Sequence, residues 1–291
     1  MTFVRPVPAT ARGVDVLGTA DRLELDRLVA ADPIVNSVVA ARLAIYRSPD
    51  PVRLGGVLLG ARDTTGVLTG AAFNGGNLIP IGGTEADWTA LAEQVAGVRR
   101  VCTSIVGPFD AVAAMWAALE PRWGPARAIR ERQPLLAVTR SEPRRVPRDR
   151  RVRVMHPDEL ERYLPAAAAM FTEELGISPF AGHAGTSYRR RVETLLANGR
   201  AFGIVDDDGQ MVFKADIGAL TRDTCQVQGV WVRPDLRGQG IGTHALAAVL
   251  DHALRLAPSA SLYVNDYNHA ARRMYATLGM RQVSVLKTVL F

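Results

Sequence analysis

The chain has 291 residues, 48% hydrophobic and 22% charged, a balance that allows one large domain or two ordinary ones with real cores. No apolar run approaches the ~18 residues that span a bilayer, and the first thirty residues, with Arg5, Arg12, Asp15 and Asp21, lack a signal-peptide pattern, so a cytoplasmic protein with no membrane partner is expected. The net charge of +6 invites a nucleic-acid partner until it is located: residues 140–153 hold seven arginines and two acids, with no aromatic residue between them, and no nucleic acid is expected.

That Pro-interrupted stretch reads as a solvated linker, with a phosphate-binding surface as the alternative. Cys102 and Cys225 lie far apart and read as two reduced thiols. His156, His183, His244, His252 and His269 have no metal-ligand spacing, and no metal is expected.

In chain order, helical patterns at 21–31 and 34–46 precede the strand-like runs "GGVLLGARD", "GVLTGAAF" and "NLIPIGG". Helix-like "EADWTALAEQVA", strand-like "RRVCTSIVG", helix-like "DAVAAMWAALE" and strand-like "ARAIRERQPLLAV" complete this half. After the arginines come a strand, "RVRVMHP", a helix holding Pro165, "DELERYLPAAAAMFTEELG", and a second helix ended by Asn198-Gly199. "AFGIVDDDGQMVFKADIGAL" is a hairpin turning at Asp208-Gly209. "TCQVQGVWV" is a strand on which Cys225, Val227, Gly229 and Trp231 alternate with Gln226, Gln228, Val230 and Val232. The next helix has Leu246, Val249, Leu250, Ala253, Leu254 and Ala257 on one face. "SLYVN" is a strand, "NHAARRMYATLG" a helix ended by Gly279, and "RQVSVLKTVLF" a final strand. The two halves repeat one order, which suggests a duplication: an α/β protein with domains at 1–139 and 151–291, joined by an Arg/Pro-rich linker at 140–150.

"RPDLRGQGIGTHALAAVL" sets Gly238, Gly240 and Gly242 at the mouth of a helix, where glycine costs ~1 kcal/mol each. A strand entering such a turn before a helix N-terminus is an anion site, with outward N–H groups and a favourable dipole. Arg237 adds a forked donor set, and the spacing Arg237-x-x-Gly240-x-Gly242 asks for a pyrophosphate. A dinucleotide fingerprint fails, because Thr243 stands where the third glycine belongs and no acid follows at 257–262. A P-loop fails for want of its Lys-Ser/Thr pair.

"VWVRPDLRGQGIGTHAL" with "LYVNDYNHAARRMYATLGM" resembles the GNAT superfamily of acetyl-CoA-dependent N-acetyltransferases, over residues from about 150 to 291. The resemblance implies two GNAT-like mixed-sheet domains with helices on both faces, the second with an intact acetyl-CoA motif. It implies that Arg237, Gly238, Gln239, Gly240, Ile241, Gly242 and Thr243 hold the pyrophosphate of coenzyme A. Val230, Trp231 and Val232 would offer backbone to the pantetheine, Asn268 would bond the cofactor, and Tyr275 would protonate the departing thiolate. Met280 replaces the family's usual Phe after the helix-ending glycine. In the first half "LIPIGGTEAD" stands where the loop would be and lacks Arg-x-x-Gly-x-Gly, as in a degenerate copy that binds no acetyl-CoA.

Acyl transfer to an amine also needs a base, since an amine of pKa ~10 is protonated at neutral pH. The strand at 224–232 offers only Gln226 and Gln228, and Asp216 shares a strand face with Lys214, suited to a salt bridge. "FTEELG" puts Glu173 and Glu174 at the end of the helix that lines the acceptor side, and these are the candidate bases. Tyr263 stands where ribosomal-protein acetyltransferases of the family have a Glu, which speaks against that substrate. The expected activity is acetylation of a primary amine on a small molecule or protein, by a monomer or homodimer. The tandem plan and "LYVNDYNHAARRMY" are also similar to mycothiol synthases, and a non-catalytic acetyl-CoA-binding regulator is the alternative outside enzymes.

Overall fold

The computed structural model describes residues 13–46, 49–142, 146–181 and 184–291. They form two compact units, one of Met1–Pro134 with Ser284–Phe291, the other of Leu135–Val283. The first is built from β1 (Gly13–Val16), α1 (Arg22–Ala30), α2 (Ser37–Tyr46), α3 (Pro51–Leu54), β2 (Gly56–Arg62), β3 (Leu68–Gly75), β4 (Leu78–Gly82), α4 (Glu85–Ala96), β5 (Ser104–Pro108), α5 (Phe109–Trp123) and the start of β6 (Ala128–Thr139). The second continues with β7 (Arg153–Val154), α6 (Leu160–Leu175), α7 (Ala184–Ala197), β8 (Ala201–Val205), β9 (Met211–Leu220), β10 (Cys225–Val232), α8 (Ile241–Leu256), β11 (Ser259–Tyr263), α9 (His269–Thr277) and the start of β12 (Arg281–Leu290).

Strand order is β1-β2-β3-β4-β5-β12 in the first unit and β7-β8-β9-β10-β11-β6 in the second. In both, the first four strands are antiparallel, the step from fourth to fifth is parallel, and the closing strand is antiparallel. One mixed-sheet plan thus occurs twice. Residues 135–139 of β6 close the second sheet against β11, and the last residues of β12 close the first against β5.

Each sheet is apolar on both faces because neighbouring residues of its strands feed different cores. Leu58, Ala71 and Ile79 pack with α1 and α2, whereas Leu59, Ala72 and Leu78 pack with α4 and α5. In the second unit Ala201 and Met211 pack with α6 and α7, and Phe202 and Val212 with α8. The α8 stripe expected from the 3.6-residue period is buried at Leu246, Val249, Leu250, Ala253 and Leu254.

On β10 the expected alternation fails. Gln228 pairs with Asp216 and Trp231 with Lys214, so Gly229 and Val230 stand opposite Ala215 alone, a β-bulge. One extra residue flips every later side chain to the other face. Cys225 and Val227 therefore lie in the α8 core, while Trp231 packs with α6 and α7.

The arginine-rich stretch is bonded to α8 at both ends of that helix. Arg140 donates to the carbonyls of Leu254 (2.6 Å) and Ala257 (3.4 Å), satisfying oxygens that a helix C-terminus leaves over. Arg148 pairs with Asp251 at 2.7 Å, the Asp149 amide donates to the His244 carbonyl at 3.0 Å, and His244 Nδ1 meets the Pro147 carbonyl at 2.8 Å. Arg144 and Arg145 lie outside the described residues, as does His183. Cys102 and Cys225 are free and buried. No described helix is long and apolar enough to cross a membrane, and no described cluster of His, Cys, Asp or Glu suits a metal.

Candidate active site

The second unit holds a parallel strand pair that opens. β10 and β11 are paired only at Cys225 with Ala260 and Gln226 with Ser261, although the strands run on to Val232 and Tyr263. Beyond the bulge, Val230 and Val232 are half-buried. Past Gln226 this side of β10 has no β11 partner, and the Val232 carbonyl accepts from Arg237 instead.

From β10 the chain enters a short 3-10 turn, Pro234–Leu236, and then the glycine loop. Gly238 (φ 78°) and Gly240 (φ 81°) are left-handed, a conformation that strains other residues, and Gly240 is the N-cap of α8. A side chain at Gly238 would meet nothing within 4 Å, so this face of the loop is open. Thr243 and His244 donate their amides to the Gly240 carbonyl. The five amides from Gly238 through Gln239, Gly240 and Ile241 to Gly242 have no protein acceptor among the described residues. Gly242 serves packing, because a Cβ there would come within 3.2 Å of Val232 and 3.3 Å of the Met274 sulfur. Five adjacent donors at a helix N-terminus fit a pyrophosphate.

The turn at the matching place in the first unit is built otherwise. Asp87, fully buried on the first turn of α4, accepts from the Thr84 amide, the Thr84 hydroxyl and the Thr69 hydroxyl, each at 2.8 Å. Trp88 Nε1 donates to the Gly82 carbonyl at 2.7 Å. The chain's own carboxylate occupies that helix N-terminus, in the arrangement of a capping box.

Asn268 is the N-cap of α9, its side-chain oxygen accepting from the Ala271 amide at 3.1 Å. Its NH₂ group remains to donate. Tyr275, on the same helix, is 6% exposed, yet its hydroxyl has no protein partner among the described residues. Burial first, and then the negative charge of Glu174, push this phenol well above its ordinary value.

Glu173 and Glu174 both lie in the last turn of α6 and have different surroundings. The Glu173 carboxylate accepts from Trp231 Nε1 at 3.0 Å and from Arg237 Nη2 at 2.7 Å. Arg237 also donates through Nε to the Val232 carbonyl at 2.9 Å. Glu174 is exposed, and its charge reaches both Tyr275 and Tyr188.

Beneath the bulge lies a cluster whose extent sequence reasoning missed. Lys214 Nζ, fully buried, donates to Asp216 at 2.7 Å, and Tyr163 donates to the other Asp216 oxygen at 2.5 Å. The Lys214 cation also lies 5.3 Å from the centre of the Tyr163 ring. Burial and the Asp216 charge push Tyr163 upward and Tyr188 to about 12. A Cβ at Gly229 would come within 2.8 Å of Lys214 Nζ and 2.9 Å of Asp216 Oδ2. The salt bridge was legible; the charges inside the apolar run "MVFKADIGAL" were the signal for the rest.

Residues 168–280 match the sequence model of the acetyltransferase (GNAT) family, and residues 56–163 match a domain of unknown function, DUF4081. A curated relative, an uncharacterized N-acetyltransferase of Archaeoglobus fulgidus, is 33% identical over 92 residues, 26% of this chain. The match spans 63% of that relative's length. Among solved structures, a GNAT-family acetyltransferase from Colwellia psychrerythraea superposes with a TM-score of 0.58 at 14% identity, covering 96% of this chain and 99% of the other. A tandem GNAT protein from the clavulanic acid biosynthesis pathway gives 0.53 at 18% identity, covering 96% and 98%. These structural likenesses concern the fold. The opened strand pair, the glycine loop and the matched segment coincide: the chain carries a GNAT acetyltransferase domain at residues 168–280, preceded by a DUF4081 region at residues 56–163.

Proposed function

We propose that the second unit transfers the acetyl group of acetyl-CoA to a primary amine of a small molecule or protein. The observation that carries this reading is the run of five amides, Gly238 to Gly242, without an acceptor among the described residues, at the N-terminus of α8 beside the opened β10–β11 pair. These amides would hold the pyrophosphate, and the β10 backbone at Val230, Trp231 and Val232 the pantetheine arm. The Asn268 NH₂ group would donate to the cofactor from the start of α9. The first unit, whose matching turn holds the Asp87 carboxylate where an anion would sit, would bind none.

Glu174 is the base in this reading and takes a proton from the acceptor ammonium. The amine nitrogen then attacks the thioester carbonyl, and backbone N–H groups past the β10 bulge stabilise the oxyanion. As the new N–C bond is kept and the C–S bond breaks, Tyr275 gives its proton to the sulfur, and the second proton shed by the nitrogen restores the phenol. A protonated phenol whose hydroxyl lacks a protein partner among the described residues suits that step.

A thiol-release assay of the full chain with acetyl-CoA and a panel of amines tests the proposal, alongside calorimetry. One acetyl-CoA per chain and release with at least one amine are expected. Gly240→Asp should abolish both, by putting a strained residue and a negative charge against the phosphates. Two sites per chain, or binding without release from any amine, would overturn the reading.

A further inference from the structure

Glu173 is out of place beside a loop that holds a polyanion. An unattached carboxylate there repels the phosphates. Both of its oxygens are engaged instead, one by Trp231 Nε1 at 3.0 Å and the other by Arg237 Nη2 at 2.7 Å. Arg237 is held at a second point, Nε to the Val232 carbonyl at 2.9 Å. Two bonds in the guanidinium plane fix its orientation. Of its five N–H donors, three remain, both of those on Nη1 among them. Neither Glu173 nor Arg237 is buried, so both would sample many rotamers without this mutual hold.

We propose that Glu173 is a positioning residue for the cofactor and not the base: it fixes the Arg237 guanidinium so that its remaining donors face the pyrophosphate. Trp231, anchored in the α6–α7 core, sets the carboxylate in turn. The contact also ties the last turn of α6 to the cofactor loop, so the helix on the acceptor side and the loop share one set of bonds. This rests on the reading that the glycine loop holds coenzyme A.

The sign of one substitution separates the roles. Glu173→Gln keeps the shape and still accepts from Trp231, while removing the charge that holds Arg237. A bystander carboxylate would leave acetyl-CoA binding tighter once neutralised; a positioning one would leave it weaker. Calorimetric titration of the full chain with acetyl-CoA should show Glu173→Gln about fivefold weaker, the scale of a partly exposed ion pair. The KM for acetyl-CoA should rise by the same factor and kcat stay within about twofold. Arg237→Gln should weaken binding at least as much, and the double variant should be no weaker than Arg237→Gln alone, the mark of coupled residues. Trp231→Phe, which keeps a ring and loses the donor, should move binding in the same direction. Equal or tighter binding by Glu173→Gln overturns the proposal. So does a fall in kcat of about 10² or more with KM unchanged, which would make Glu173 the base. Failure of the wild-type chain to bind acetyl-CoA is a separate result and overturns the cofactor reading itself.

Discussion

On the proposed reading Tyr275 is the acid, and one substitution separates that role from packing. Its ring packs in the α8 core and its hydroxyl lacks a protein partner among the described residues, so Tyr275→Phe should leave folding and acetyl-CoA affinity intact. If the phenol protonates the thiolate, kcat should fall by roughly 10²–10⁴ with KM for acetyl-CoA nearly constant. Steady-state kinetics of the variant beside calorimetry checks this, and an unchanged kcat would reduce Tyr275 to packing. Burial first, and then the charge of Glu174, favour the protonated phenol, so it keeps its proton across the neutral range.

At the scale of elements, the bulge in β10 decides what the opened strand pair presents. Gly229 holds a left-handed φ of 58° against the Lys214–Asp216 pair. Gly229→Ala should cost about 1–2 kcal/mol from backbone strain alone, and more from crowding a buried ion pair that cannot move into water. Denaturant unfolding measures that loss, and a variant as stable as wild type would show that the bulge relaxes. The contrast between β10 and the glycine loop explains what the sequence made legible. Gly238, Gly240 and Gly242 could be read because three glycines crowded against a helix start need a reason, and two of them prove to hold a left-handed φ that strains other residues. The bulge could not, because Cys225, Val227, Gly229 and Trp231 alternate in print as they would in a regular strand. α3, a four-residue helix started by Asp50 and Pro51, was too short for its period to register. The bonds of Glu173 were hidden for another reason: its partners lie on a strand and a loop more than fifty residues away, and local pattern holds no record of them.

Across the whole molecule, buried protonated groups set the alkaline limit of stability. Burial pushes Cys225 from 9.0 to about 12, and burial with the Asp216 charge pushes Tyr188 from 10.0 to about 12. Tyr163 and Tyr275 shift in the same direction. Each group binds its proton more tightly folded than unfolded, so the stability it contributes is complete below its unfolded value and lost as pH rises toward the folded one. Melting temperature should therefore hold up to about pH 9 and fall from there toward 12. Thermal scans with tyrosinate absorbance test this; full tyrosine ionisation near pH 10 in the folded protein would contradict it.

The closing strand of the first sheet has a consequence for biosynthesis. β5 pairs with Leu286 to Leu290, at the far end of the sequence, and Trp116 and Trp123 pack on Phe291. A nascent chain emerging at ~5–20 residues per second would hold the edge of β5 open for on the order of ten seconds before its partner leaves the ribosome. An unpaired edge beside an apolar core is a template for association with other chains. The first sheet of this protein thus closes late, and the interval in which the β5 edge needs shielding lasts until residues 286–290 have emerged.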